Sequence, residues 1–341
     1  NLDTSNSATL TYSINAGQIE FESANRLTIT AHSGQNDNVS LNGASITFNA
    51  GDEDDTITIQ NSSAAYAGTG DDSVVIQGNS LNDLVDLGDD NDTLVVNNGV
   101  IIGLNAGGGA DSIVVTDGFI QLASLGLGND YFSGNVGQIS AGEGDDILNL
   151  NNSSYAWGDA GNDSIVINGT DNGYIYGGDG ADFVKIEGVV WCSTALGLGD
   201  DTIIVNGVAS DISGGAGNDS IGNEGESYII QGGDGLDTII NTEGAFVGSY
   251  IAGNIGDDSI VNEGVVSDNI YGQTAYEADT STNDQLILGA SSSIGGSLVN
   301  DAATLESAMN SNQIQGIEKV YDSEGNKIYP FRQTSGSVDL T

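Results

Sequence analysis

Apolar and polar residues alternate in short runs that recur about every 19 residues along most of the chain. Each run begins after an Asp. The residue two positions on is apolar in all twelve clear copies, as in Ile57 and Ile113, and the residue four positions on is usually apolar, as in Ile59. Apolar residues two apart predict a short β-strand with one face turned inward. Nothing recurs at the helical period, so the pattern excludes a mainly helical protein.

Two kinds of Gly-containing turn connect these predicted strands. Six or seven residues after the Asp, a Gly follows Asn, Asp or Glu, as in Asn98-Gly99 and Asn206-Gly207. This predicts a tight turn in which Gly supplies a positive φ. A second short strand then leads into a wide loop that ends at the next Asp. One repeat is therefore a strand, a tight turn, a second strand and a wide Gly-Asp loop.

Stacking such repeats places equivalent strands in parallel, ~4.8 Å apart. From Asp37 to Asp284 there are 13 intervals over 247 residues, a mean period of 19. The predicted fold is all-β: a right-handed parallel β-solenoid of about 13 coils of about 18–19 residues, with a small C-terminal cap that contains one short helix. Three late coils carry Asn223, Asn241 and Asn262 at the inward fourth position, which predicts a hydrogen-bonded Asn ladder.

Three segments follow from where the repeat begins and ends. Residues 1–31 are predicted to be N-terminal strands or a cap, residues 32–288 the solenoid, and residues 289–341 a C-terminal cap or docking element. A cap is favoured, because the open end of a solenoid exposes a sheet edge. The cap is expected to hold a helix at residues 301–310 and two strands around a turn at residues 323–326. The enlarged loop at residues 272–284 is interpreted as a surface insertion.

The wide loops are candidate metal sites. Glycine lets backbone carbonyls face a common point, and the closing Asp adds a hard carboxylate oxygen, which together favour Ca²⁺. Ordinary solvated turns are the alternative, but twelve copies in register with the strands argue against it. The predicted carboxylate ligands are Asp55, Asp72, Asp92, Asp111, Asp130, Asp146, Asp163, Asp182, Asp201, Asp219, Asp237 and Asp258, with Asp37 and Asp284 as degenerate outer copies. The predicted carbonyl ligands are Gly68, Gly70, Gly107, Gly109, Gly126, Gly128, Gly142, Gly144, Gly177, Gly180, Gly197, Gly199, Gly214, Gly217, Gly232 and Gly235.

The charge balance supports bound cations. Five Lys and Arg against 49 Asp and Glu give a net charge of −44. Such a chain repels nucleic acid and anionic membranes, and it repels itself when compact. A solubility device is the alternative, but the regular placement of the acids argues against it. With His32 and Cys192 as the single histidine and cysteine, the sequence excludes a structural zinc site and an internal disulfide.

The loops resemble the RTX (repeats-in-toxin, hemolysin-type) calcium-binding family, whose nonapeptide is Gly-Gly-x-Gly-x-Asp-x-apolar-x. The resemblance covers about residues 32–288. It implies a parallel β-roll that folds on calcium outside the cell, often after type I secretion. The family carries such loops on both edges, whereas here only every second half-turn has one. We therefore expect one ladder of about 11–13 Ca²⁺ ions. Asp159, Glu53 and Asp90 replace loop glycines and predict weaker sites.

Three function classes remain open. The first is an extracellular structural or adhesive protein, such as a surface layer, a filament subunit or an adhesin module. The second is the calcium-folded secretion or stabilisation module of a larger exported enzyme or toxin, and the third is a polysaccharide-active β-helix enzyme. No catalytic residue is assigned, because one His and few basic residues near the solenoid disfavour the known arrangements. Flat Thr-x-Thr ice-binding arrays are not repeated, which ranks that function lower.

The expected location is secreted, at the cell surface. No signal peptide is visible, and because the chain begins at Asn1 we expect a processed product or a fragment. No apolar run is long enough to insert into a membrane. Beyond calcium, the expected partners are further copies of this chain through self-association, or another cell-surface protein or polysaccharide. An outward apolar ridge supports the structural class and is predicted at Val75, Val95, Val114, Val166, Ile204, Ile240 and Val261.

Overall fold

The chain forms two compact units, Asn1–Ser164 (unit 1) and Ile165–Thr341 (unit 2). Their structure comes from a computed structural model. It describes residues 8–11, 20–23, 27–30, 36–43, 46–60, 63–171, 173–272, 284–289, 291–299, 302–311, 313–315, 317, 319–322, 324, 326–330, 333–334 and 337–338. Both units are parallel β-solenoids, and the chain makes about 12 turns. The predicted fold class is confirmed. The predicted segment boundaries at residues 31 and 288 stay predictions.

Unit 1 is a stack of turns in which each strand pairs in parallel with the equivalent strand of the next turn. Val74, Leu94, Ile113, Phe132 and Leu148 are successive partners in one column, and all five side chains are buried. The strands are β1 Ala8–Thr11, β2 Glu20–Ser23, β3 Leu27–Thr30, β4 Asn38–Gly43, β5 Ile46–Asp52, β6 Thr56–Ile59, β7 Ser63–Thr69, β8 Ser73–Asp89, β9 Thr93–Gly108, β10 Ser112–Leu127, β11 Tyr131–Glu143, β12 Ile147–Ser153 and β13 Tyr155–Ala160.

Unit 2 repeats this architecture. Val184, Ile203, Ile221, Ile239 and Ile260 form its equivalent buried column. Its strands are β14 Ser164–Asp171, β15 Ile175–Asp179, β16 Phe183–Ile186, β17 Val189–Val190, β18 Thr194–Leu198, β19 Thr202–Val205, β20 Val208–Ala216, β21 Ser220–Asn223, β22 Glu226–Asp234, β23 Thr238–Asn241, β24 Phe246–Val247, β25 Ile251–Ile255, β26 Ser259–Asn262, β27 Val265–Val266, β28 Ile270–Tyr271, β29 Gln285–Leu288, β30 Ser293–Ile294, β31 Ser297–Leu298, β32 Ile314–Gln315, β33 Lys319–Asp322, β34 Lys327–Pro330, β35 Gln333–Thr334 and β36 Ser337–Val338.

The predicted Asn ladder lies inside unit 2. Asn223, Asn241 and Asn262 are fully buried, and each donates to or accepts from the next turn through its side-chain amide at 2.8 Å. Ser227 also donates to the amide oxygen of Asn223 at 3.0 Å. The column of amides therefore satisfies much of its own hydrogen bonding within an apolar interior.

The C-terminal part of unit 2 contains the predicted helix and hairpin. Helix α1 spans Ala302–Asn310, and β33 pairs antiparallel with β34. The parallel stack extends further than the loop motif does, because β32 pairs with β28 and β33 pairs with β29. Part of the predicted cap is thus a further turn of the solenoid. The enlarged loop predicted at residues 272–284 lies almost wholly outside the described residues. Among the described residues, no helix is long and apolar enough to cross a membrane.

The glycines of the tight turns correct one prediction. Gly118, Gly188 and Gly207 do not adopt the positive φ expected of them. A Cβ on Gly207 would instead stand 1.9 Å from the carbonyl oxygen of Gly188, and one on Gly188 would stand 1.9 Å from that of Gly169. Glycine is required here because successive turns stack too closely for any side chain.

The predicted apolar ridge is interrupted. In unit 1, Val75, Val95 and Val114 are in register on the outer face, but Ser133 follows them. In unit 2, the column that contains Ile204, Ile240 and Val261 is broken by Lys185 and Gly222. Val166 is half-buried on β14. The outer face of the first strand is therefore a set of short apolar stripes and not a continuous ridge.

Candidate metal site

The closing aspartates form a column of buried carboxylates in each unit. All fourteen, from Asp37 to Asp284, are at most 3% exposed. The inward apolar residue two positions later fixes the strand, and this holds the Asp at the corner where the wide loop enters the strand. In unit 1 the column comprises Asp37, Asp55, Asp72, Asp92, Asp111, Asp130, Asp146 and Asp163. In unit 2 it comprises Asp182, Asp201, Asp219, Asp237, Asp258 and Asp284.

Twelve of the fourteen carboxylates accept a hydrogen bond from the turn before them. The backbone N–H of Asp92 donates to Oδ1 of Asp111 at 2.8 Å, and the N–H of Asp111 donates to Oδ1 of Asp130 at 2.8 Å. The same bond recurs along both columns at 2.6–2.9 Å. One oxygen of each of these twelve carboxylates thus fixes the stacking of two loops.

The second carboxylate oxygen lacks such a partner. In ten of these side chains Oδ2 is buried and accepts no hydrogen bond from the described residues. They are Asp55, Asp72, Asp92, Asp111, Asp130, Asp146, Asp201, Asp219, Asp237 and Asp258. A buried carboxylate oxygen without a partner costs several kcal/mol unless it binds a proton or a cation. A recurring orphan oxygen at one position of the repeat therefore indicates a ligand.

Backbone carbonyls of the wide loops point at the loop of the neighbouring turn. A Cβ on Gly128 would stand 1.9 Å from the carbonyl oxygen of Gly109, and one on Gly217 would stand 1.9 Å from that of Gly199. Most loop glycines of the predicted set have φ between 109° and 147°, which allows this orientation. They are Gly68, Gly70, Gly107, Gly109, Gly126, Gly128, Gly142, Gly144, Gly180, Gly197, Gly199, Gly217 and Gly235.

The other three predicted glycines, Gly177, Gly214 and Gly232, have a different role. The left-handed glycine in those loops is the next residue. A Cβ on Gly214 would stand 2.2 Å from Oδ2 of Asp219 and 2.5 Å from the carbonyl oxygen of Gly232. Oxygens from two successive turns therefore converge on one point beside a glycine that leaves it open. Convergent oxygens at such spacing are suited to a hard cation.

Three loops depart from glycine, as the sequence indicated. Glu53, Asp90 and Asp159 occupy left-handed positions with φ of 78°, 80° and 72°. Asp90 Oδ2 accepts the backbone N–H of Gly70 at 3.1 Å, so this side chain takes part in the loop stacking. Asn254, with φ of 76°, is a fourth such departure. The left-handed backbone conformation costs about 1–2 kcal/mol at each of these residues.

A second row of side chains was missed from the sequence. The residue before the closing Asp is Asp or Asn in nine of the twelve clear copies. Oδ1 of Asp71 accepts the backbone N–H of Asn91 at 3.0 Å, and Oδ1 of Asp145 accepts that of Asn162 at 2.8 Å. These exposed side chains bond forward along the stack, whereas the closing carboxylates bond backward. The recurrence of Asp or Asn was the signal that could have identified them.

Burial raises the pKa of the closing carboxyl groups. The pKa rises to about 7 in Asp72, Asp92, Asp130, Asp146, Asp201 and Asp258, and to about 6 in Asp55 and Asp237. It is also raised in Asp111 and Asp219. The donated backbone N–H opposes the shift, and neighbouring carboxylates add to it in most turns. A proton or a cation is therefore favoured at each of these side chains.

A raised pKa fixes the pH dependence of the cation-free chain. The folded state binds more protons than the unfolded state between about pH 4 and pH 7, so stability without cations should increase as the pH falls through that range. Each group contributes up to about 1.4 kcal/mol per pH unit. We expect the β-sheet circular dichroism signal, measured in chelator, to be larger at pH 5 than at pH 8. A signal that falls on acidification would show that these carboxyl groups are not buried as described.

The candidate ligands of a bound cation are all oxygen atoms. Among the described residues there is no group of three or more His, Cys, Asp or Glu side chains that could hold a metal ion. A cation in a gap would take carboxylate oxygens from closing aspartates and its other ligands from backbone carbonyls. All-oxygen ligation suits Ca²⁺ and is unlike the nitrogen and sulfur ligands of zinc.

The fold and this site define a β-solenoid with a repeated, buried aspartate at one corner of each turn. No family model matches the chain. None of the curated proteins matches it either. Among solved structures, the crystal structure of a hyperactive, Ca²⁺-dependent, β-helical antifreeze protein from an Antarctic bacterium is similar to this chain. The TM-score is 0.44 and the identity 20%, over 98% of this chain and 97% of that one.

Proposed function

We propose that this chain is an extracellular, calcium-binding structural or adhesive protein whose solenoid folds on Ca²⁺. The observation that carries the proposal is the column of closing aspartates, each buried and ten of them with an orphan Oδ2. A single buried carboxylate can be a local exception, but ten at the same position of a repeat require a common ligand.

Calcium fits this ligand set better than other common cations. Successive loops offer carboxylate and carbonyl oxygens in a flexible, irregular arrangement, which Ca²⁺ accepts with six to eight ligands. Magnesium demands a near-ideal octahedron and retains its water. We propose a ladder of about 11–13 ions, each shared by two successive loops.

The proposed setting follows from the charge of the chain. A chain with a net charge of −44 needs abundant cations to remain compact, and calcium is abundant outside cells. The resemblance of the loops to RTX repeats supports the same setting. We propose a surface-layer, filament or adhesin role, and no enzymatic activity is part of the proposal.

Two neighbouring carboxylates provide a direct test. Asp146 is a buried closing residue, whereas Asp145 is exposed and its Oδ1 accepts the backbone N–H and the side-chain amide of Asn162. In a calcium titration followed by circular dichroism and calorimetry, Asp146→Asn should raise the calcium midpoint about tenfold or more and reduce the number of ions bound. Asp145→Asn should leave both unchanged, because Asn already occupies this position in the adjacent turns at Asn129 and Asn162.

The same pair should behave differently without calcium. Asp146→Asn removes a buried acid whose pKa is raised to about 7, so in chelator at pH 8 the variant should retain more β-sheet circular dichroism signal than the parent chain. A purely structural aspartate would instead lose stability in both conditions. Equal calcium midpoints for Asp146→Asn and Asp145→Asn would contradict the proposed ligation.

A further inference from the structure

Unit 2 exposes large aromatic side chains beside its tight turns. Trp191 is 61% exposed, Tyr228 is 55% exposed and Phe246 is 41% exposed. Aromatic residues make up only 6% of the chain, yet these three exposed ones lie along one stack of strands, β17, β20, β22 and β24. We call Trp191, Tyr228 and Phe246 the aromatic platform. Exposed aromatic surface on a rigid scaffold marks an interaction site.

The strand register fixes the spacing of the platform. Trp191 directly follows Val190, which pairs with Ala209, and Ala209 in turn pairs with Ser227, the residue before Tyr228. Trp191 and Tyr228 are therefore two turns apart, or ~10 Å along the stack. Because every turn is held by its neighbours, this spacing does not depend on a flexible loop.

Gly248 lies next to the ring of Tyr228. A Cβ on Gly248 would stand 3.0 Å from Cδ2 of Tyr228 and 3.5 Å from Cε1 of Phe246. The two rings therefore lie next to each other over a residue that has no side chain. Phe246 pairs with Glu226 of the preceding turn, so the Glu226 carboxylate belongs to a residue directly beside Phe246 in the stack.

The polar groups around the platform include two carboxylates, which accept hydrogen bonds. Glu226 is exposed, and Asp211 and Ser210 are half-buried one turn before Tyr228. Ionised carboxylates accept hydrogen bonds and donate none. No Lys or Arg occurs in the columns that carry the platform, and Lys185 of the preceding first strand pairs with Glu187 at 2.5 Å. The platform therefore suits a ligand that offers apolar surface and hydroxyl donors.

We propose that the aromatic platform binds an uncharged, β-linked polysaccharide. The C–H faces of pyranose rings pack on aromatic rings, and their hydroxyl groups donate to carboxylates such as Glu226 and Asp211. The two-turn separation of Trp191 and Tyr228 matches two sugar units of an extended chain, so both rings can hold one strand. The inference rests on the proposed adhesive function and names its partner class.

Electrostatics selects this occupant over others. Acidic polysaccharides and nucleic acids are repelled, because 13 bound Ca²⁺ ions would reduce the net charge of −44 only to about −18. In a two-fold dimer through this face, Glu226 and Asp211 would meet the same carboxylates of the second copy, and the described columns that carry the platform contain no Lys or Arg to compensate them. A neutral glycan avoids both penalties.

The test uses the full chain in millimolar calcium with cellohexaose, xylohexaose and N-acetylchitohexaose as probes. Trp157→Phe leaves Trp191 as the single tryptophan, so its emission reports occupancy of the platform. At least one probe should change this emission, and Trp191→Ala and Tyr228→Ala should each weaken binding about tenfold or more, measured by calorimetry. Trp157→Ala is the matched control, since Trp157 lies in unit 1, stacked on Tyr155 at 5.6 Å, and its removal should leave affinity unchanged.

Three outcomes would overturn the proposal. They are the absence of binding by all three probes, unchanged affinity in the Trp191→Ala, Tyr228→Ala double variant, and a calcium-dependent dimer that this double variant dissociates. Circular dichroism of every variant in calcium shows whether the solenoid is folded. Failure of the calcium proposal would instead appear as β-sheet signal that a chelator does not change, so the two failures are distinguishable.

Discussion

Removal of calcium with a chelator at neutral pH is expected to abolish most of the β-sheet circular dichroism of this chain. In the folded state without cations, ten carboxylate oxygens are buried with neither a hydrogen-bond partner nor a counter-charge. Unfolding returns them to water and relieves the repulsion of a chain with five basic residues against 49 acids. A site held at 100 times its Kd contributes ~2.7 kcal/mol, so about ten sites contribute ~27 kcal/mol, more than the whole stability of a typical domain.

The measurement is a circular dichroism titration from chelator into millimolar calcium. Magnesium at the same concentration should restore little structure, because it does not accept an irregular set of carbonyl ligands. Sodium chloride of equal ionic strength controls for general screening of charge. If the β-sheet signal is equal in chelator and in calcium, the solenoid does not depend on calcium to fold.

The repeating part of the fold could be predicted because every turn repeats the same spacing of apolar residues after its closing Asp. The apolar residue two positions after each closing Asp forms one buried column per unit, as Val74 to Leu148 and Val184 to Ile260 show. The Asn ladder was also predictable, because polar residues at an inward position must bond to one another. Register follows from the alternation, since a shift by one residue would expose the whole column.

Features that depend on contact between turns could not be predicted. Gly188 and Gly207 follow Glu and Asn, a sequence that favours a left-handed turn, yet they are glycine because of the carbonyl below them. The column of β29 continues into β33 without a Gly-Asp loop, because stacking needs only the alternation of apolar residues. The exposure of Trp191 depends on which side of the tight turn faces solvent, which local pattern does not specify.

The order of the closing carboxylates was predictable, but their bonding was not. The spacing alone predicted that the residues from Asp55 to Asp258 recur at one position of the repeat. That Oδ1 binds the preceding turn and Oδ2 is left for a ligand depends on the backbone direction in the loop. The same holds for Gly214, whose missing side chain leaves a point where two oxygens converge.

The second large effect is expected from a single methyl group in a wide loop. Gly126 has φ of 118°, and its Cβ would stand 2.0 Å from the carbonyl oxygen of Gly107. That oxygen belongs to a backbone held by the neighbouring turns, so it cannot move without separating the stack. Gly126→Ala should therefore lower the free energy of unfolding in saturating calcium by about 4 kcal/mol or more, the sum of backbone strain and steric overlap.

Gly244→Ala separates these two contributions. Gly244 also has a positive φ, 90°, but nothing lies within 4 Å of its Cβ position. This variant carries the backbone strain alone and should lose about 1–3 kcal/mol. Urea unfolding of both variants in calcium gives the comparison, and equal losses would mean that the stacked carbonyl contributes nothing. We expect a larger loss of stability in Gly126→Ala, together with fewer calcium ions bound per chain. This result would show that the spacing of the loops governs both the fold and the number of ions, because the proposed ligands include the carbonyls that exclude a side chain.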